Sequence, residues 1–249
     1  MKTLILLHGW GADGSFWEKQ VLAFRGQIKV ETPTIPAWDP AWLKAYLQNF
    51  SLVDCLLVGW SLGGMMLLEV LARQPATVGG LILVGVAPVF CRRSDYPWGQ
   101  PPVAVRAMRR ALQSNPRKVV QDFAGSCLSP SEGTFQEEVT SLFSTGNSAN
   151  LAAGLDYLLS QDLRPLLPNL ATPCTIIQGD EDRIVPPGQA RFLHEHLSGS
   201  KLHLVPAAGH LPFWTQDGRF NGILEEIVGG GQQAPNLKNF CHSERSEAE

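Results

Sequence analysis

The feature that most constrains the fold of this chain is a serine between two glycines, in the Gly-Trp-Ser-Leu-Gly stretch at residues 59–63. An apolar run typical of a buried parallel strand comes directly before it, and a helix-forming stretch comes directly after it. So tight a turn strains its central residue and leaves room only for very small residues two positions away on either side. Gly59 and Gly63 meet that requirement, so the pattern predicts a nucleophile elbow with Ser61 at its tip.

The elbow belongs to a chain in which apolar runs and helical stretches alternate. The runs lie near residues 3–7, 28–32, 54–58, 80–86, 174–178 and 201–205. Their alternation predicts an α/β fold with a mostly parallel, doubly wound sheet of about six strands. At 249 residues, of which 44% are hydrophobic, the chain is long enough to bury the core of one main domain.

The stretch between the fourth and fifth predicted strands is too long for a plain crossover. Its amphipathic segments predict a helical cap over residues 89–164, inserted into an α/β core formed by residues 1–88 and 165–228. We expect this cap to cover the site at the C-terminal ends of the strands. Residues 229–249 have no periodic apolar pattern and are predicted to form a disordered tail.

Two further loops supply an acid and a base. The acidic loop at residues 179–186 follows the fifth predicted strand and contains Asp180 and Asp182, and His210 lies in the loop after the sixth. A serine hydroxyl is a poor nucleophile without a base, and an imidazole base needs a carboxylate to fix its tautomer. The chain order serine, aspartate, histidine fits that chemistry on a parallel sheet. We predict a catalytic triad of Ser61, Asp182 and His210, with Asp180 as the alternative acid.

A glycine-flanked loop, His8-Gly9-Trp10-Gly11, follows the first predicted strand. Loops of this kind turn a backbone N–H group toward a nucleophile elbow and so help to form an oxyanion hole. We assign the two oxyanion donors to the backbone N–H groups of Trp10 and Leu62. His8 is expected to shape the loop rather than act as a second base.

These motifs resemble those of the α/β-hydrolases, and within them the pimeloyl-acyl carrier protein methyl ester esterases of biotin synthesis. The resemblance covers roughly residues 3–228. Beyond the elbow, the acidic loop and the histidine loop, it rests on residues 87–90, 95–98, 154–158 and 162–164. It implies a serine carboxylesterase that hydrolyses the methyl ester of pimeloyl-acyl carrier protein through an acyl-enzyme, with Asp182 at the family's acid position and no cofactor.

The resemblance also implies a substrate site. Its expected members are Trp10, Trp60, Ser61, Leu62, Phe123 and His210. Phe123 begins a predicted cap segment, residues 123–127, that resembles the acyl-contacting segment of the family but carries smaller residues. For Phe123, plain packing in the core is the alternative.

Basic residues are concentrated in the first half of the predicted cap, although the whole chain has a net charge of −3. Arg106, Arg109 and Arg110 have the spacing of one helix face, and Arg117 lies about two turns further on. This face is either a docking surface for an acidic acyl carrier protein or an ordinary solvated helix face. The similar esterases carry cap arginines on a second helix as well, and residues 135–138 of this chain have none.

Several classes of partner are disfavoured by the sequence. No basic motif interleaves aromatic residues, which argues against nucleic acid, and no apolar run approaches the roughly 18 residues of a membrane span. The five cysteines are scattered, so we expect no disulfide framework, no metal site and a reducing cytoplasm. We expect a monomer.

Two other functions remain open at this point. The chain could be a general short-chain carboxylesterase without a protein partner. It could also be a ligand receptor of the same fold whose triad is nearly idle. Rates on free and carrier-bound esters separate the first alternative from the carrier-protein esterase, and the turnover rate itself separates the second.

Overall fold

A parallel sheet runs through the part of the chain that the computed structural model describes, residues 2–170 and 172–229. Its strands are β1 (Thr3–Leu7), β2 (Lys29–Glu31), β3 (Cys55–Trp60), β4 (Gly80–Val84), β5 (Cys174–Gly179) and β6 (Lys201–Val205). They are arranged in the order β2-β1-β3-β4-β5-β6, and every neighbouring pair is parallel. The predicted α/β sheet of about six strands is confirmed.

The middle strands are buried along their whole length because both of their faces are covered. Every residue of β3 is buried, and so is every residue of β5. Continuous burial without alternation is typical of parallel strands between two helical layers. The predicted strand at 80–86 ends earlier, at Val84, because the backbone of Gly85 turns into the left-handed region at φ 56°.

Helices connect the strands on both sides of the elbow. They are α1 (Glu18–Ala23), α2 (Pro40–Leu47), α3 (Leu62–Arg73), α4 (Pro102–Ala111), α5 (Pro116–Ser126), α6 (Gln136–Leu142), α7 (Ser148–Ser160), α8 (Pro187–His196), α9 (Pro212–Thr215) and α10 (Asp217–Val228). Proline in the first turn favours the start of α2, α4, α5 and α8, since the missing N–H would have no partner there. None of the helices in the described ranges is long and apolar enough to cross a membrane.

Helices α4 to α7 lie between β4 and β5, and we propose that they form the predicted cap. The two ends of this segment meet, because the backbone N–H of Leu163 donates to the carbonyl of Pro88 over 2.9 Å. Helix α7 is also tied to α3, since the Tyr157 hydroxyl donates to the buried carboxylate of Glu69 over 2.6 Å. Of the tail predicted at residues 229–249, residues 230–249 lie outside the described residues.

Candidate active site

Ser61 lies at the tip of the turn between β3 and α3. Its backbone has φ 53° and ψ −121°, a left-handed conformation that is strained for a residue with a side chain. The turn is held to the sheet because the Ser61 N–H donates to the carbonyl of Val84 over 2.9 Å. The strained backbone conformation therefore lies at the serine itself, as expected for a nucleophile elbow.

The two glycines that flank the serine are required by close backbone approaches. A Cβ atom on Gly59 would collide with the backbone of Gly64, at the start of α3. A Cβ atom on Gly63 would collide with the carbonyl of His8, in the loop after β1. The glycine pattern thus brings the elbow, the helix and the loop after β1 into direct contact.

The predicted acid and base are hydrogen-bonded to each other. His210 Nδ1 lies 2.7 Å from Asp182 Oδ2, and both side chains are fully buried. The other carboxylate oxygen accepts from the backbone N–H groups of Ile184 and Val185 at 2.8 and 2.9 Å. Gln178 donates its amide to Oδ2 over 2.9 Å. These donors stabilise a buried carboxylate that would otherwise be costly.

The second ring nitrogen of His210 has no such partner. His210 Nε2 is buried and forms no hydrogen bond within residues 2–170 and 172–229. In the same ranges the hydroxyl of Ser61 makes no hydrogen bond, to His210 or to any other residue. Catalytic hydrogen bonds are often long without substrate and tighten in the complex. The arrangement can therefore accept a proton at Nε2 once a substrate orders the serine.

Asp180, the alternative acid, is hydrogen-bonded to the loop after β6 and not to His210. Asp180 Oδ1 accepts the backbone N–H of Ala207 over 2.7 Å, at an exposed position. Ala207 is itself in the left-handed region, at φ 57°. Asp180 thus supports the turn that leads to the histidine loop, whereas Asp182 contacts the histidine itself.

Two residues of this site have no part in the sequence predictions. Gln178 is a buried polar residue near the C-terminal end of β5, and its amide orients the carboxylate of Asp182. Gly85 faces the His210 ring, because a Cβ atom there would lie 3.0 Å from Cε1 and from Nδ1. A glutamine ending a buried strand and a glycine at the same sheet edge are signals that sequence reasoning could have used.

His8 is buried in the loop after β1 with both ring nitrogens engaged. The backbone N–H of Ile35 donates to Nε2 over 2.8 Å, which leaves Nδ1 to donate to the carbonyl of Gly9 over 2.8 Å. Burial lowers the pKa of His8 to about 4. The ring is therefore neutral near pH 7, and it joins two backbone segments.

The predicted oxyanion donors are available. Within the described residues, the backbone N–H groups of Trp10 and Leu62 have no hydrogen-bond partner. The first N–H groups of a helix lack an intrahelical acceptor, which explains the free donor at Leu62, the first residue of α3. The Trp10 side chain is fixed separately, because its indole N–H donates to the carbonyl of Leu151 over 2.8 Å.

An apolar cavity of about 490 Å³ opens above Ser61, between the sheet edge and helices α4, α5 and α7. Its lining consists of Trp10, Ser61, Phe90, Gln100, Ala104, Val105, Ala107, Met108, Ala111, Val119, Asp122, Phe123, Ser126, Leu155, Leu158 and Ile184. Phe123 packs edge to face on Trp10, with ring centroids 5.0 Å apart. The cavity therefore has the size and the polarity of a site for an acyl chain.

The structure divides the predicted substrate residues into two groups. Trp10, Ser61 and Phe123 line the cavity. The side chains of Trp60, Leu62 and His210 are buried and do not belong to its lining. The Trp60 indole N–H instead donates to the backbone carbonyl of His210 over 2.9 Å.

The predicted basic residues of the cap also fall into two groups, one with an ion-pair partner in the described part of the chain and one without. Arg109 is bound within the chain, because its guanidinium pairs with Asp156 on α7 at 3.1 Å. Arg106, Arg110 and Arg117 are exposed and form no ion pair with any residue that the structure describes. Helix α4, which carries two of these three, also lines the cavity with Ala104, Ala107 and Ala111.

In the described ranges, no group of three or more histidine, cysteine, aspartate or glutamate side chains is arranged to hold a metal ion. Four cysteines there are free and buried.

Comparison with known proteins agrees with this architecture. Residues 4–223 match the sequence profile of the alpha/beta hydrolase family. The pimeloyl-acyl carrier protein methyl ester esterase of Nitrosospira multiformis is 30% identical over 238 residues, which cover 87% of this chain and 90% of that protein. The protein of the same name from Chromobacterium violaceum is 29% identical over 235 residues, covering 90% and 92%. The solved structure of an esterase from Exiguobacterium antarcticum has a TM-score of 0.83 at 24% identity, over 92% of both chains.

Proposed function

Because the chain belongs to the alpha/beta hydrolase family, we propose that it is a serine carboxylesterase with Ser61, His210 and Asp182 as its catalytic triad. The observation that carries this proposal is the buried His210–Asp182 pair, whose Nε2 is left without a partner. A histidine held by a carboxylate at one nitrogen and unpaired at the other is prepared to accept a proton. Ser61, at the floor of the cavity, is the group that would supply it.

The proposed reaction begins with attack of the Ser61 hydroxyl on the ester carbonyl while His210 Nε2 takes the hydroxyl proton. Asp182 stabilises the imidazolium, and the N–H groups of Trp10 and Leu62 bind the oxyanion of the tetrahedral intermediate. When the intermediate collapses, the alcohol leaves with the proton from His210, and an acyl-enzyme remains. Water, deprotonated by the same histidine, then releases the carboxylate.

The proposed substrate is the methyl ester of pimeloyl-acyl carrier protein. Relatives of that name match nearly the whole chain at 27–30% identity. The cavity supports a long apolar acyl chain, because polar side chains contribute little to its lining. With the methyl ester at Ser61, the acyl chain of the substrate would pass between α4 and α5 toward the carrier protein. Location in the cytoplasm and a monomeric state stay predictions.

We propose that Arg106, Arg110 and Arg117 attract the carrier protein. They are exposed, and α4 borders the cavity through which the acyl chain would leave. Acyl carrier proteins are acidic, so the attraction would act on encounter and weaken with salt. Arg109 is left out of this surface, since its charge is matched by Asp156.

The nucleophile is tested by Ser61→Ala on p-nitrophenyl esters. We expect kcat to fall by about 10⁴-fold or more, because triad members act as a unit, with the melting temperature retained. Near-native turnover in this variant would overturn the assignment. Negligible turnover in the unaltered protein on every ester would favour the ligand receptor.

The partner is tested by reversing Arg106 and Arg110 to glutamate. We expect KM for carrier-bound methyl ester to rise by roughly 10-fold, with a weaker salt dependence, while dimethyl pimelate is hydrolysed at the unaltered rate. Reversal of Arg25 and Arg219, two other exposed arginines, makes the same change of charge away from the cavity. Equal effects of the two reversals, or no effect of either, would favour a general short-chain esterase.

A further inference from the structure

The loop that carries His210 is held by the proposed cap. The backbone N–H of His210 donates to the carbonyl of Cys127 over 2.7 Å, just after the end of α5. The preceding N–H, that of Gly209, donates to the side chain of Glu132 over 2.9 Å. Two successive N–H groups of the histidine loop thus end on one short segment, residues 127–132, from a distant part of the chain.

Glu132 carries a buried carboxylate that forms no ion pair with any residue that the structure describes. Its side chain belongs to a residue that is 5% exposed, and no Lys, Arg or His in the described ranges forms an ion pair with it. One oxygen, Oε2, accepts from both Ser129 and Gly209, at 2.8 and 2.9 Å. The other oxygen, Oε1, is buried with no partner among the described residues. Burying a carboxylate without a counter-charge lowers the stability of the fold, so we expect its contacts to serve a role.

Capping of a short helical turn explains only half of these contacts. Glu132 closes a capping box with Ser129, and that local bond would form equally well at the surface. The bond to Gly209 joins residues 77 positions apart and reaches the peptide next to His210. Capping does not require that second bond, and its effect falls on the histidine loop.

The contact between the two segments is close. A Cβ atom on Gly209 would collide with the carbonyl of Cys127, and would lie 2.7 Å from Ser129 N and 2.8 Å from Glu132 Oε2. The glycine lets the histidine loop lie directly against the segment. The position of the His210 main chain is therefore set by the cap as well as by the sheet.

We propose that Glu132 is a positioning residue for His210, which couples the packing of the cap to the placement of the catalytic base. This inference rests on the proposed role of His210. Glu132 touches neither substrate nor the reacting atoms and acts only through the Gly209 peptide. A displacement of the base by about 1 Å is enough to cost up to roughly 100-fold in rate.

Substitutions of Glu132 can separate the effect of side-chain length from the effect of side-chain charge. Both donors bind the same oxygen, so a glutamine whose carbonyl oxygen takes the place of Oε2 keeps both bonds and removes the charge. An aspartate keeps the charge but is one methylene too short to reach Gly209. Glu132→Gln should therefore rescue function where Glu132→Asp does not.

The experiment measures kcat and KM of the full chain on p-nitrophenyl butyrate. We expect Glu132→Asp to lower kcat by about 10- to 100-fold with KM changed less than about 2-fold, because the base and not the acyl site is displaced. Glu132→Gln should stay within about 3-fold of the unaltered kcat. Glu138→Ala is the matched control, because Glu138 also joins the cap to the core, through the Trp214 indole, but not through the histidine loop.

A spectroscopic measurement reads the histidine directly. The proton of the His210–Asp182 hydrogen bond gives a downfield resonance, which we expect to shift or broaden in Glu132→Asp and to remain in Glu132→Gln. If Glu132→Asp does not fold, Gly209→Ala serves in its place, since the added methyl group pushes the same two segments apart. It should lower kcat by a similar factor.

Several outcomes would overturn the inference. These are native kcat in a folded Glu132→Asp or Gly209→Ala variant, equal losses in Glu132→Asp and Glu132→Gln, and an equal loss in Glu138→Ala. Failure of the proposed function has a different result, since Ser61→Ala would then keep its turnover. An inactive Ser61→Ala beside a fully active Glu132→Asp overturns only the role of Glu132.

Discussion

Two buried histidines lie in loops near the same edge of the sheet, and they differ in whether both ring nitrogens have a hydrogen-bond partner. His8 directly follows β1, and His210 lies in the loop that follows β6. Both are almost completely inaccessible to solvent, at 1% and 0% exposure. They differ in their partners: His8 is hydrogen-bonded at both ring nitrogens, whereas His210 is bonded only at Nδ1, to a carboxylate.

Burial alone does not give the two rings the same role, because their hydrogen-bond partners differ. Around His8 burial acts without a compensating carboxylate, and it lowers the pKa to about 4, so the ring serves as a neutral link between backbone segments. Around His210 the carboxylate of Asp182 would stabilise an imidazolium, and the unpaired Nε2 could accept the proton that forms it. The partners of a histidine, more than its depth, separate a structural role from a catalytic one.

The loops also differ in what holds them. The His8 ring is hydrogen-bonded to the backbone of Gly9 and Ile35, and the cap contacts this loop further on, where the Gly11 carbonyl accepts the N–H of Ser144 over 3.0 Å. The His210 loop is fixed from both sides, by Glu132 and Cys127 of the cap and by the Trp60 indole of the elbow. Both loops therefore contact the cap, but the cap bonds the backbone of His210 itself, whereas its bonds to the His8 loop lie at Trp10 and Gly11.

The largest expected effect comes from removing the partner that distinguishes His210. Asp182→Asn should lower kcat on p-nitrophenyl esters by about 10⁴-fold, because the amide favours the wrong tautomer and no longer stabilises the imidazolium. The two histidines would then be alike in lacking a carboxylate. The measurement is steady-state turnover with the melting temperature as a control for folding.

Asp180→Asn is the matched control on the same loop. Its side-chain oxygen can still accept the Ala207 N–H, so we expect less than about 3-fold loss of kcat. If Asp180→Asn were the more damaging of the two, the acid would be Asp180, and the comparison between the two histidines would lose its basis.

The second effect concerns the stability of the fold. The folded-state pKa of His8, about 4, lies below its unfolded value near 6.5, so the unfolded chain binds the proton more readily. The contribution of His8 is complete above pH 6.5 and is lost as the pH falls from 6.5 to 4. It amounts to about 3 kcal/mol over that range.

Urea unfolding at several pH values between 7 and 4.5 measures this term, with His8→Gln as the reference. The variant should be less stable at pH 7 and should lose less stability on acidification, because glutamine does not titrate. Carboxylates contribute equally to both proteins and cancel in the difference. Parallel pH dependences in the two proteins would show that His8 is not the neutral, buried ring described above.

The parts of this site that follow from the sequence are those dictated by the backbone. Gly59 and Gly63 are needed because main-chain atoms approach them too closely for a Cβ, and such a need leaves a fixed spacing in the sequence. The parallel sheet is predictable for a similar reason, since doubly covered strands are apolar throughout. The positions of Asp182 and His210 in the loops after β5 and β6 likewise follow from the order of the apolar runs.

Contacts between distant side chains and backbone leave no such mark. The bond from Glu132 to Gly209 joins residues 77 positions apart, and nothing in the spacing of either segment indicates it. Trp60 is expected at the substrate site through the family resemblance, and nothing in the sequence indicates that its indole N–H donates to the backbone carbonyl of His210. The charge count likewise did not indicate that Arg109 is neutralised by Asp156.

The smallest effect tests the hold that the elbow has on the histidine loop. Trp60→Phe removes the indole N–H that donates to the His210 carbonyl, while an aromatic ring still fills the core. We expect kcat on p-nitrophenyl butyrate to fall by about 10-fold with KM nearly constant, because the base is less well placed. Trp17→Phe is the matched control, since Trp17 is also fully buried and its indole N–H has no partner among the described residues. Equal kcat values for the two variants would mean that lost packing, and not the hold on His210, accounts for the change.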